Sequence, residues 1–140
     1  MIERYTNPEM GNIWSDQAKY QTWLDVEIAA CEANCKLGKI PQSAMETIRT
    51  KARFKPERIL EIEEEVRHDV IAFLTNVNEY VGDAGRYIHV GMTSSDVLDT
   101  GLALQLKSSV KLLRKELLLL EEAIRDLASQ HKKTVMIGRS

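Results

Sequence analysis

Apolar residues recur at three- and four-residue intervals along nearly the whole chain, and no stretch of weight alternates in the two-residue rhythm of a strand. The pattern predicts an all-α protein. Tyr20, Leu24, Ile28, Cys31 and Cys35 form one apolar stripe, so a helix is expected from about residue 15 to 37, with Gly38 as its stop. Ile40-Pro41 opens a shorter helix through Ala44, Ile48 and Ala52, with Pro41 suited to the first turn. Lys55-Pro56 opens another through Ile59, Leu60, Ile62 and Val66, and its acidic Glu61–Glu65 run reads as a solvated face. Arg67-His68-Asp69 then interrupts the pattern. It is either a new helix start, with Asp69 as cap, or the polar face of a continuous helix that runs on through Val70, Phe73, Val77 and Val81. Gly82, Asp83 and Gly85 mark a loop. The last helix is expected from about residue 94 to 131, with Leu98, Leu102 and Leu106 on one face and Leu117–Leu120 further along. At a 1.5 Å rise such a rod exceeds about 50 Å, more than the preceding short helices can cover. It wants either the rest of a bundle or other subunits.

The length suits one domain, or one domain and a piece of a second; a small N-terminal helical domain, residues 1–92, followed by the first long helix of a central helical bundle, residues 93–140, is expected. Hydrophobic and charged contents of 44% and 29% suit an ordinary globular protein. The net charge of −2 offers no basic excess for nucleic acid. No run of about 20 apolar residues exists to span a membrane, and Met-Ile-Glu-Arg-Tyr is no signal peptide. A cytoplasmic protein is expected. Cys31 and Cys35 read as buried thiols rather than metal ligands. Thr134–Ser140 carries neither a helix stop nor a polar tail, and reads as a structured loop cut short.

The richest segment chemically is His89-Val-Gly-Met-Thr-Ser-Ser-Asp-Val-Leu-Asp-Thr100. Thr93 or Ser94 is a natural N-cap for the long helix. The first four N–H groups of a helix lack internal partners, and the dipole there favours an anion. The segment therefore reads two ways, as a plain cap or as a seat for a carboxylate or phosphate, with His89 a titratable neighbour. His68, between Arg67 and Asp69, could bind phosphate or shuttle a proton, or simply sit at a helix start. Arg4-Tyr5 could clamp phosphate or lie idle on the surface. His131 beside Lys132-Lys133 complements a helix C-terminus, and Trp14 and Trp23 read as core. No phosphate-binding glycine loop, zinc signature or serine-hydrolase elbow is present, and nothing demands a metal or organic cofactor.

Taken together, four segments resemble the N-terminal part of the adenylosuccinate lyase family, in the fumarase/aspartase superfamily. They are the Met-Ile-Glu-Arg-Tyr opening, Glu63–Val70, His89–Thr100 and the lead-in from Thr134 to Ser140. The resemblance covers the whole chain. It implies a β-elimination that cleaves a C–N bond of adenylosuccinate to give AMP and fumarate, and the same cleavage of the succinyl-carboxamide ribotide of purine synthesis. It implies no cofactor, a succinyl nucleotide as small-molecule substrate, and a homotetramer whose active sites each draw on three subunits. Residue by residue, Arg4 and Tyr5 match nucleotide-phosphate contacts. Arg67, His68 and Asp69 match a substrate-binding segment, with His68 also a candidate to polarise or protonate substrate. Thr93 and Ser94 match contacts to the succinyl portion, and His89 a position near the substrate. The family's catalytic histidine would follow Ser140, and its catalytic serine lies further on. Residues 1–140 alone are therefore expected to be inactive and to associate through the Leu-rich helix. Two other readings compete: a carboxymuconate cycloisomerase-like enzyme of the same superfamily, and a non-catalytic helical interaction module.

Overall fold

The computed structural model describes residues 2–139. Met1 and Ser140, the two ends of the family resemblance, lie outside them. The described residues form six α-helices and no strands: α1 (Pro8–Ile13), α2 (Asp16–Lys36), α3 (Gln42–Lys51), α4 (Pro56–Val66), α5 (Asp69–Val81) and α6 (Ser94–Gln130). Short 3-10 turns cover Glu3–Tyr5 and Gly82–Tyr87.

The helix boundaries follow local chemistry. The Ser15 hydroxyl accepts the Ala18 N–H at 3.2 Å and starts α2. Gly38 takes a φ of +74°, which its missing Cβ permits, just beyond the end of α2. Pro41 stands at the N-cap of α3, one position before the expected first turn. A short helix precedes α2: Asn7 caps α1 through the Met10 N–H, and Pro8 sits at its first position, where a missing N–H costs nothing.

The core is a knot of aromatic rings between α2, α5 and the α3–α4 linker. Tyr20 meets Trp23 edge-on at 5.2 Å and stacks on Phe73 at 6.0 Å; Phe73 meets Trp23 edge-on at 5.5 Å. Such pairs contribute about 0.5–1.5 kcal/mol beyond their area burial. Met45, Ile48, Ile59, Ile62, Val70 and Val77 close around them. Trp14 differs from the sequence expectation. It ends the short α1 and is 40% exposed, whereas Trp23, mid-helix on the apolar stripe, is buried.

The long helix packs by an unexpected face. Val97, Gly101, Gln105 and Ser109, four residues apart, are its buried positions, while Leu102, Leu104 and Leu106 are exposed. The reason is close approach. A Cβ on Gly101 would lie 2.8 Å from Trp23 Cδ1 and 3.0 Å from Thr22 Oγ1, so only the bare backbone fits against α2. One turn on, Gln105 Nε2 donates to the Ile13 carbonyl at 2.8 Å and anchors α1. Small and polar residues thus face the body. The leucines, including Leu113, Leu117–Leu120 and Leu127, stay uncovered among the described residues.

Candidate active site

Two helix starts and one strained loop present the candidate residues. At the first start, α4 ends because Arg67 adopts a left-handed backbone (φ 55°), and its N–H still reaches the Glu63 carbonyl at 2.9 Å. That conformation costs a non-glycine residue about 1–2 kcal/mol. The reversal makes His68, not Asp69, the N-cap of α5: its Nδ1 accepts the Ile71 N–H at 3.4 Å. Asp69 occupies the first turn, where its Oδ1 accepts the Val70 N–H at 2.7 Å and its charge complements the helix dipole. Of the two openings left by sequence, the new helix start is the observed one. Arg67 is exposed and His68 and Asp69 are half-buried, so the triplet lies at the surface.

At the second start, Thr93 is the N-cap of α6. Its N–H donates to Asp96 Oδ2 at 2.9 Å, the carboxylate arm of a capping box. The end is therefore a true cap already supplied with an internal anion. Thr93 and Ser95 are exposed and Ser94 half-buried. No hydrogen bond or ion pair among the described residues links Arg4–Tyr5, Arg67–Asp69 and Thr93–Ser94 to one another. Arg4 stacks its guanidinium 4.8 Å above the Tyr5 ring, on the surface, with Tyr5 74% exposed. These candidate groups thus lie at least partly exposed, without direct hydrogen bonds between them.

His89 is different, and so is the residue it meets. Like Arg67 it is left-handed, with φ 66°. Its N–H donates to Glu27 Oε2 at 3.0 Å, and its ring Nδ1 lies 2.6 Å from Glu27 Oε1. One carboxylate therefore holds both the backbone and the imidazole. Glu27 is 1% exposed, in the middle of α2. One turn further along α2, the Cys31 thiol donates to the Tyr87 carbonyl at 3.5 Å. Burial, helped by the neighbouring Glu27 charge, pushes that thiol up to about 11. It is a structural group, as expected from sequence, and with Glu27 it fastens the 87–89 segment to α2. No group of three or more His, Cys, Asp or Glu among the described residues has the arrangement to hold a metal ion.

The Lyase family model matches residues 3–140. The chain belongs to the lyase family. Over its whole length this lyase-family chain is 69% identical to the adenylosuccinate lyase of Synechocystis sp., covering 32% of that protein. It is 47% identical, again over its full length, to the adenylosuccinate lyase of Bacillus subtilis, also covering 32% of it. The chain thus spans about a third of the length of the curated relatives it matches. Among solved structures, the 3-carboxy-cis,cis-muconate lactonizing enzyme of Pseudomonas putida superposes with a TM-score of 0.87 at 30% identity, covering 97% of this chain and 33% of that one. A fumarate lyase from Mesorhizobium sp. BNC1 gives 0.85 at 28% identity, covering 96% of this chain and 32% of that one.

Sequence reasoning missed Glu27. The signal was present: Tyr20, Leu24, Glu27 and Cys31 are spaced four, three and four, which puts a carboxylate inside a buried stripe. A buried charge requires a partner, and that requirement leads to His89. The left-handed backbones of Arg67 and His89 carried no local signal, since glycine is the residue ordinarily read for that conformation. Non-glycine residues held there cluster at functional sites.

Proposed function

We propose that this lyase-family chain is one part of an adenylosuccinate lyase, which cleaves adenylosuccinate to AMP and fumarate and acts likewise on the succinyl-carboxamide ribotide. The observation that carries it is the 69% identity to the Synechocystis adenylosuccinate lyase across all 140 residues. The reaction is a β-elimination. A base takes a proton from the succinyl carbon next to a carboxylate, the freed electron pair forms the new C=C bond, and the C–N bond breaks. Its electrons go to the purine-side nitrogen, which an acid protonates.

The roles within residues 1–140 are those that the family resemblance implies. Arg4 and Tyr5 take the nucleotide phosphate. Arg67, with His68 and Asp69 beside it, binds substrate, and His68 is placed to polarise or protonate it. Thr93 and Ser94 offer hydroxyls and helix-end N–H groups to the succinyl carboxylates, where negative charge builds up during the reaction. His89 stands upstream of the same helix end. The principal acid and base, and the remaining site walls, come from the part of the relatives' length that this chain does not span and from neighbouring subunits of a homotetramer. The exposure of the candidate groups supports such an incomplete site. The uncovered leucines of α6 support assembly into a central bundle that begins near residue 93. The enzyme is cytoplasmic and needs no cofactor, and residues 1–140 alone are inactive.

The cycloisomerase alternative draws on the likeness to the Pseudomonas putida enzyme, but at 30% identity it is the weaker case. The test is turnover by the complete protein that carries this chain. Fumarate release from adenylosuccinate, with none of the lactone formed from 3-carboxy-cis,cis-muconate, is expected. Lactone formation without fumarate release overturns the proposal.

A further inference from the structure

We infer that Glu27 is a positioning residue for His89: it keeps the Nδ1 proton directed into the protein and leaves Nε2 as the ring nitrogen presented to substrate. The inference rests on the proposed placement of His89 beside the succinyl nucleotide.

Three observations carry it. First, one carboxylate engages both the N–H and the Nδ1 of the same histidine, at 3.0 Å and 2.6 Å. A carboxylate that accepts the backbone N–H with one oxygen has only an acceptor left for the ring, so Nδ1 must carry hydrogen. Second, the pair is one-sided. Glu27 is 1% exposed, whereas the His89 side chain keeps 22% of its surface, and no other hydrogen bond among the described residues engages the ring. Third, the arrangement holds His89 in a left-handed backbone that Gly91, φ 78°, two residues on, would adopt without strain. Cys31 fixes Tyr87 from the adjacent turn of α2, so the segment is fastened on both sides of Ile88. A surface ion pair needs none of this. The second nitrogen of a histidine is set by what the first one bonds, which is how buried carboxylates orient catalytic and metal-binding imidazoles elsewhere.

The decisive variant is Glu27→Gln. Its amide oxygen can still accept the His89 N–H, but the group facing Nδ1 becomes an NH₂ donor. The ring must then carry its proton on Nε2, the wrong tautomer for a group that acts as an acceptor there. In the complete lyase, ¹⁵N-histidine NMR assigned by difference with His89→Asn should show Nδ1–H in the native protein and Nε2–H in Glu27→Gln. Turnover of adenylosuccinate in Glu27→Gln should fall about 10–100-fold in kcat with little change in KM. Glu27→Asp should restore the native tautomer and part of kcat. Glu27→Gln placed on His89→Asn should cost no further kcat, because the glutamine oxygen still accepts the residue-89 N–H and the substitution then acts only through the ring. Nε2–H in the native protein overturns the inference even if Glu27→Gln does not fold. So does a Glu27→Gln loss that persists in full on the His89→Asn background. A His89→Asn enzyme as active as the parent instead overturns the placement of His89 in the site, while the tautomer remains separately decided by NMR.

Discussion

Replacing Gly101 with alanine should destabilise the protein, although a mid-helix glycine is ordinarily a liability. Helix propensity alone favours Gly101→Ala by about 1 kcal/mol. Packing opposes it. The new methyl would lie 2.8 Å from Trp23 Cδ1, 3.2 Å from Trp23 Nε1 and 3.0 Å from Thr22 Oγ1, against an ordinary contact of about 3.5–4.0 Å. None of these can yield cheaply. The indole is held edge-on by Tyr20 and Phe73, and the Thr22 hydroxyl donates to the Lys19 carbonyl at 2.7 Å. Overpacking of a held core costs about 1–3 kcal/mol, and three simultaneous close contacts place this site in the upper half of that range. The net expectation is a loss of about 1–2 kcal/mol. Urea unfolding followed in parallel by tryptophan fluorescence and far-ultraviolet circular dichroism measures it. Ala103→Gly, on the exposed side of the same helix, isolates the propensity contribution and should cost about 1 kcal/mol. Gly101→Ala protein as stable as the parent, or more so, would refute the close-approach account of how α2 and α6 pack. The consequence reaches the site. Glu27 lies one turn beyond Trp23 on α2, and α6 begins two turns before Gly101, so the same crossing sets where His89 and Thr93 stand.

Arg67→Gly should raise stability by about 0.5–1 kcal/mol, since relief of the left-handed backbone outweighs the added entropy of the unfolded chain; it should also raise KM for adenylosuccinate, and thermal melts with steady-state kinetics check both. Cys31, buried and with its thiol held at about 11, should resist alkylation at neutral pH until the protein unfolds, as timed mass spectrometry would show. Because its thiol ionises later in the folded than in the unfolded protein, stability should fall as pH rises above about 9, and Cys31→Ala should flatten that fall. Glu79 accepts hydrogen bonds from Arg58 at 2.9 Å and from Asn76, and these hold its carboxyl below the usual range. Its contribution is therefore present above about pH 4.5 and lost as pH falls through its lowered value, so Glu79→Gln should blunt acid unfolding.

Where the sequence was readable, local rules were enough. Ser15, Gly38, Pro56 and Thr93 mark helix ends by their own backbone and capping preferences, and the structure places ends at or beside each. The Asn7-Pro8 pair carries the same kind of signal for α1. What stayed hidden depends on partners distant in sequence. Which face of α6 turns inward is decided by Trp23 approaching Gly101, and the conspicuous leucines point elsewhere. His89 is defined by Glu27, 62 residues away. Its neighbours on α2 would have exposed the misplaced charge, but only a fold could name the partner. The Arg67 break is held by a conformation that glycine would normally announce.

The most direct test of the central claim is turnover by a chimaera in which residues 1–140 replace the matching third of the Synechocystis adenylosuccinate lyase. The account predicts a folded enzyme that releases fumarate from adenylosuccinate at a rate within about tenfold of the parent, about 1.4 kcal/mol in barrier. A chimaera that folds and assembles like the parent but releases no fumarate would contradict it.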